Sequence, residues 1–265
     1  GEAIGCFGLT EPDHGSDPAS MRTRARKDGD DWVLNGSKMW ITNGSIADVA
    51  VVWANAGEEH GGIRGFVVPT DTSGFAAHKI SHKMSLRASV TAELTFEDLR
   101  LPADAVFPDV TGLKGPLACL SEARYGIVWG ALGAARSSLD AARRYSMGRI
   151  QFGRPIAGFQ LTQAKLANMA TELQLGQLLA LHLGRRKDTV GLRPEQVSVG
   201  KYNNITKAIE ICRTARTILG ANGVSGEYPV LRHANNLESV LTYEGTVEMH
   251  TLVLGQALTG ESAFR

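Results

Sequence analysis

The chain has 265 residues, 28 Lys and Arg against 27 Asp and Glu, and a formal net charge of +1. That length supports one large domain or two modest ones, and 43% hydrophobic beside 21% charged residues excludes a disordered or collagen-like chain. A near-neutral balance without a basic cluster excludes an electrostatic footprint for nucleic acid, and no apolar run reaches the length that spans a bilayer.

Composition changes at Gly112. Residues 1–111 hold 10 Lys and Arg against 16 Asp and Glu, a net of −6, and the remainder holds 18 against 11, a net of +7. The first part reads as β. Trp32-Val33-Leu34 and Lys38-Met39-Trp40-Ile41-Thr42 flank Asn35-Gly36, whose tolerance of positive φ predicts a type I′ hairpin turn there. Val49–Trp53, Gly65–Val68 and Ala92–Phe96 read as further short strands between Gly, Asp and Pro punctuation. Short strands at close spacing predict an antiparallel β-barrel or sandwich over 1–111.

From Gly112 the period becomes helical. Leu120, Ala123, Ile127, Ala131, Ala134, Ala135, Leu139 and Ala142 recur at three- and four-residue steps, predicting one long helix that ends near Gly148. A second helix is expected from Phe159 to Leu183, bounded by Gly158 and Gly184, and a third from Pro194 to Leu219, stopped by Gly220-Ala221-Asn222-Gly223. Tyr228–Leu241 and Thr246–Thr259 fit two shorter ones. The expected class is therefore α+β, with an antiparallel helical bundle over 112–265.

Several patterns carry little chemistry. Ser198-Val199-Gly200-Lys201 matches S-x-x-K without its partner motifs and reads as a solvated helix face. His78 and His82 read as surface histidines, and no metal site is expected. Three sequons, at Asn35, Asn43 and Asn204, match by pattern only. Cys6, Cys119 and Cys212 are odd in number and far apart, which fits a reducing compartment. Without G-x-G-x-x-G or a Walker loop, any dinucleotide is not held in the Rossmann manner. Gly1 opens directly into an apolar, Gly-rich stretch, as a chain entered partway would.

Three segments are improbable as scaffold together: Phe7-Gly8-Leu9-Thr10-Glu11-Pro12-Asp13-His14-Gly15-Ser16-Asp17, Trp40-Ile41-Thr42-Asn43, and Tyr243-Glu244-Gly245-Thr246. Each alone has a plain alternative: a polar turn, an exposed hairpin arm, a solvated loop carboxylate. In this order, with Arg149-Ile150-Gln151-Phe152-Gly153 and Ile218-Leu219-Gly220-Ala221-Asn222-Gly223, they closely resemble the acyl-CoA dehydrogenase family of flavoproteins over essentially the whole chain. Within it, Ser85–Ser89, Glu122–Ile127 and Arg232–Glu238 look most like the glutaryl-CoA dehydrogenases.

The resemblance implies FAD as cofactor. Phe7, Gly8, Leu9, Thr10, Gly15 and Ser16, with Trp40, Ile41 and Thr42, would line the flavin, Leu9 through its backbone and Thr10 and Thr42 by hydrogen bonds to the ring edge. Arg149, Phe152 and Gln160 would hold pyrophosphate and adenosine. Thr217, Ile218, Leu219, Gly220 and Ala221 match a segment that a neighbouring subunit lays on the same cofactor, although Thr217 stands where many relatives carry Gln and Ala221 where many carry Gly. Thr246 and Glu248 would complete that site. Ser16, Leu117, Ser121, Arg124, Tyr243, Gly245 and Phe264 match the CoA-thioester groove, with Arg124 as its polar anchor. Glu244 matches the catalytic base.

Implied too are a homotetramer built as a dimer of dimers, an electron-transfer flavoprotein as acceptor, and a cytoplasmic or mitochondrial-matrix location according to source. The family carries an N-terminal helical domain ahead of the Phe7 segment, including the Arg that binds a glutaryl carboxylate, and no residue here matches it. The expected activity is FAD-dependent α,β-dehydrogenation of an acyl-CoA, with oxidative decarboxylation of glutaryl-CoA to crotonyl-CoA and CO2. A branched or medium acyl chain, or a non-catalytic flavin-binding fragment, stand as alternatives.

Overall fold

In the computed structural model, which describes residues 1–263, the chain divides into two units, Gly1–Leu120 and Ser121–Arg265. The first is built on seven strands: β1 (Gly5–Gly8), β2 (Arg24–Asp28), β3 (Asp31–Thr42), β4 (Val49–Asn55), β5 (Ile63–Pro69), β6 (Phe75–Lys79) and β7 (Thr91–Leu101). Their order is β1-β4-β2-β3-β7-β6, with β5 on β4. Four pairings are antiparallel, as the spacing predicts, while β1 and β2 each meet β4 in parallel, so the sheet is mixed. Trp32, Leu34, Val52, Phe66, Leu94 and Leu99 form its apolar interior. β2 escapes pattern reading because Arg-Ala-Arg-Lys-Asp buries only Ala25, leaving no apolar alternation to see.

Asn35-Gly36 does not turn the chain. The β2–β3 hairpin turns at Gly29-Asp30, where Gly29 takes φ +65°, and β3 runs on through Asn35-Gly36. A bulge forms there instead: the register against β7 slips between Leu34 and Gly36, and a β-carbon on Gly36 would stand 2.7 Å from Thr23. Asn35 exchanges hydrogen bonds with Asp98, donating from Nδ2 to Oδ1 at 3.0 Å and accepting from the Asp98 N–H at 2.9 Å. Glycine is thus required by close approach on one strand, which sequence cannot separate from a turn.

The second unit is helical: α1 (Lys114–Gly148), a two-residue hairpin of β8 (Ile150–Gln151) and β9 (Arg154–Pro155), α2 (Gln160–Thr189), α3 (Pro194–Leu219), α4 (Val230–Thr242) and α5 (Val247–Thr259). The first turns of α1 belong to the β unit, where Leu113 and Leu120 pack on the Trp53 and Ile63 cluster. Along α1 the expected stripe holds at Ala131, Ala135 and Ala142, but Ala123 is exposed, and Val128 and Leu132 carry the burial. Helix α2 passes through Gly184, which serves close packing rather than a helix stop: the Tyr125 hydroxyl lies 2.3 Å from where a β-carbon there would stand.

Helix α3 is the axis of this unit, packing against α2, α4 and α5. Its polar residues are part of the interior. Asn204 is wholly buried and donates to the Val128 and Gly176 carbonyls at 3.3 and 3.0 Å, so its sequon is sealed from modification. Ser198 and Lys201 are also buried, which corrects the solvated-face reading. Each finds partners on other helices, a compensation no single-helix pattern displays.

Candidate active site

In the first unit the Phe7–Asp17 segment is held from beneath by an ion pair. Lys38, on β3 and fully buried, donates from Nζ to Glu11 Oε1 at 2.9 Å and to the Leu9 carbonyl at 3.1 Å. Glu11 in turn accepts the Arg22 and Thr23 N–H groups at 2.6 and 2.9 Å. Burial pushes the Glu11 carboxyl up, but hydrogen bonds from Thr23, Arg22 and Lys38 outweigh it and hold the group at about 2. Burial lowers the Lys38 ammonium to about 8 against the pull of Glu11. Both partners are charged at neutral pH.

The same scaffold shapes the second segment. The Met39 N–H donates to the Thr10 carbonyl at 2.8 Å, bringing the two segments side by side. Register against β7 slips between Lys38 and Ile41, and within that bulge Trp40 adopts φ +63° with its side chain exposed. Thr42 is exposed, whereas the Ile41 side chain is in the sheet interior, so only its backbone is available to a ligand. Leu9 is buried, while Gly15 and Ser16 are exposed.

In the second unit Phe152 sits at φ +50° on the tip of the β8–β9 hairpin, 94% exposed, beside exposed Arg149 and Gln160. Its ring meets Phe159 edge-on at 6.1 Å, and the Arg154 guanidinium lies 4.2 Å over Phe159. Thr217, Gly220 and Ala221 are exposed at the end of α3. Ile218 and Leu219 are core residues, which removes their side chains from any ligand surface.

Glu244 occupies the loop between α4 and α5. It takes φ +52° and is followed by Gly245 at φ +91°, a left-handed pair that holds a bulky residue in an unfavourable backbone. Its Oε2 is buried without a hydrogen-bond partner among the described residues. Burial raises the carboxyl, and the Arg124 and Lys201 charges pull it back. Arg124, expected as a substrate anchor, donates from Nε to the Glu244 carbonyl at 2.7 Å. Thr246 caps α5 by accepting the Met249 N–H at 3.3 Å, and exposed Glu248 is lowered by its own N–H and the Thr246 hydroxyl. Tyr243 and Leu117 are partly exposed, Ser121 is half-buried, and Phe264 lies outside the described residues.

Sequence reading missed His250. It is buried, with Nδ1 3.0 Å from Ser198 Oγ and Nε2 turned toward Gly245. Burial first, then the Lys201 and Arg124 charges, lowers it to about 4 from 6.5. The unfolded chain therefore takes up a proton that the folded one refuses. This contribution to stability is complete above pH 6.5 and is lost as pH falls toward 4, at most about 3 kcal/mol. Denaturant titrations from pH 7 to 4.5 should show the parent weakening more steeply than His250→Gln. Parallel curves would contradict it.

The sequence profile of the acyl-CoA dehydrogenase middle domain matches residues 6–99, and that of the acyl-CoA dehydrogenase C-terminal domain matches residues 111–259. The chain is 39% identical over 257 residues to the human mitochondrial short-chain specific acyl-CoA dehydrogenase, covering 96% of this chain and 62% of that relative. It thus spans about three-fifths of the relative's length. A crystal structure of glutaryl-CoA dehydrogenase from Mycobacterium smegmatis is 69% identical, with a TM-score of 0.97 over 99% of this chain and 67% of its own. A second from that organism, in complex with FADH2, is 63% identical with the same TM-score, over 100% of this chain and 68% of its own.

Proposed function

The chain belongs to the acyl-CoA dehydrogenase family, and on that premise we propose that it carries the flavin-binding and catalytic parts of an enzyme that dehydrogenates the α,β-carbons of glutaryl-CoA. The observation that carries the reading is Glu244: a half-buried carboxylate whose Oε2 is buried without a partner among the described residues, on a strained loop fixed by Arg124. The α-proton of a thioester is weakly acidic, so its removal needs a desolvated, basic carboxylate aimed at one place.

FAD fits the residues present. A tryptophan at φ +63° is a costly conformation, about 1–3 kcal/mol, and here it leaves the indole exposed, two residues ahead of exposed Thr42. In the first unit the Leu9 backbone, Thr10, Trp40 and Thr42 would hold the ring. In the second, Arg149, Phe152 and Gln160 would hold pyrophosphate and adenosine. FAD, when bound, supplies the acceptor for the β-hydrogen and its electron pair.

The chain's own residues do the rest. Glu244 takes the α-proton onto its free oxygen. Arg124 keeps the loop from relaxing by holding the Glu244 carbonyl. Lys38 and Glu11 fix the Leu9–Glu11 backbone that would meet the ring. Loss of the α-proton and β-hydride leaves a glutaconyl thioester, whose γ-carboxylate is vinylogous to the carbonyl. Its C–C bond can break to release CO2, the electron pair passing into the conjugated thioester, and protonation at the γ-carbon gives crotonyl-CoA.

Glutaryl-CoA is supported by the 69% identity to the mycobacterial enzyme, against 39% to the human short-chain one. An electron-transfer flavoprotein is the proposed acceptor and a homotetramer the proposed assembly. The test is turnover by the FAD-loaded, full-length protein on glutaryl-, butyryl- and isovaleryl-CoA. Glutaryl-CoA should be preferred, with CO2 and crotonyl-CoA formed. Preference for butyryl-CoA would move the assignment to a short-chain substrate, and product that stops at glutaconyl-CoA would remove the decarboxylation.

A further inference from the structure

Lys201 lies in the N-terminal third of α3 with 1% of its surface exposed, in a motif that looked inert. A buried ammonium is costly unless hydrogen-bonded and balanced by charge. Its hydrogen bonds go to two carbonyls that bracket Glu244: Val240 in the last turn of α4 at 3.1 Å and Gly245 at 2.7 Å. One cation from a rigid helix thus clamps both ends of the segment that carries the carboxylate. The one strained φ of the segment, at Glu244, falls between those two anchor points, and Gly245 at φ +91° leads directly into the Thr246 cap of α5.

The groups around this segment come from every helix packed on it. Arg124 of α1 holds the Glu244 carbonyl, and His250 of α5 lies behind Gly245 with its ring fixed on Ser198 of α3. The Tyr243 ring is 6.0 Å from Lys201 Nζ. Of these, Arg124 and Lys201 are the cations acting on Glu244, while His250 is neutral and Tyr243 is raised by burial and by Glu244.

We infer that Lys201 is a positioning residue for Glu244: its ammonium fixes the backbone on both sides of the carboxylate and favours the ionised form that accepts the substrate proton. The inference rests on Glu244 being the base. Burial lowers Lys201 to about 8, assisted by Arg124 and opposed by Glu244, so the ammonium is charged at neutral pH. Removing it leaves Arg124 as the cation that, among the described residues, opposes the effect of burial on Glu244. The base would then stay protonated to higher pH.

The experiment is the rate of anaerobic flavin bleaching by glutaryl-CoA against pH, in the FAD-loaded, full-length protein. Lys201→Met should move the acid limb to higher pH, with a rate on that limb lower by about tenfold. Lys201→Arg, which keeps charge and donors, should return the limb toward its parent position. Where Lys201→Met does not accumulate as folded flavoprotein, Lys201→Gln takes the same titration. A limb unmoved in the neutral variant, at any plateau rate, overturns the inference, because loss of stability alone does not shift it. Glu244→Gln run alongside separates the two readings. If it abolishes bleaching while the neutral Lys201 variant keeps the parent's limb, only Lys201's role falls; if it bleaches like the parent, both fall.

Discussion

Glu244→Gln should keep its flavin and its fold and lose about 10²–10⁴-fold in the rate of anaerobic flavin bleaching by acyl-CoA. Glutamine keeps the size and the hydrogen-bonding capacity of the side chain and leaves the Arg124 and Lys201 contacts, which go to backbone carbonyls, intact. Only the basic oxygen is lost. The neighbouring acids are poor substitutes. Glu238 is paired with Arg213 on an exposed face of α4, and Glu248 is committed to the first turn of α5. A Glu244→Gln protein that bleaches near the parent rate, while Glu248→Gln does not, would transfer the role to Glu248.

Lys38→Met should destabilise the β unit by about 3–5 kcal/mol, because it strands the buried Glu11 carboxylate without its cation. Glu11 cannot simply become neutral without cost, since it accepts the Arg22 and Thr23 N–H groups as an anion. The Leu9 carbonyl loses its donor at the same time, so flavin retention should fall with stability. Three of the four tryptophans, Trp32, Trp40 and Trp53, are in this unit, so urea unfolding followed by tryptophan fluorescence reports mainly on it. A loss below about 1 kcal/mol would show the pair to be dispensable.

The helical half was open to sequence reading where a period of 3.6 and its stop signals agree. Helix α3 begins at Pro194 and ends at Leu219, as Pro and the Gly220 cluster dictate. The β half was legible in its long apolar strands and failed at Asn35-Gly36, where the same dipeptide serves a bulge packed on Thr23. Ile41, Ile218 and Leu219 sit inside motifs that mark the site, yet their side chains belong to the core, so a motif alone does not say which of its members face a ligand. Lys38, Glu11, Lys201 and His250 stayed hidden for a common reason. Each is polar and buried, each hydrogen-bonds to a partner at least 27 positions away, and no local pattern reports such a distance.

Proton removal can be measured apart from the redox step. A glutaryl-CoA analogue with sulfur in place of the β-carbon has no β-hydrogen to lose, so in deuterated water the FAD-loaded, full-length protein can only exchange its α-hydrogens. Mass spectrometry of the recovered thioester should show deuterium entering at the α-position with the parent protein and not with Glu244→Gln. Exchange that continues undiminished in Glu244→Gln would contradict the assignment of the base.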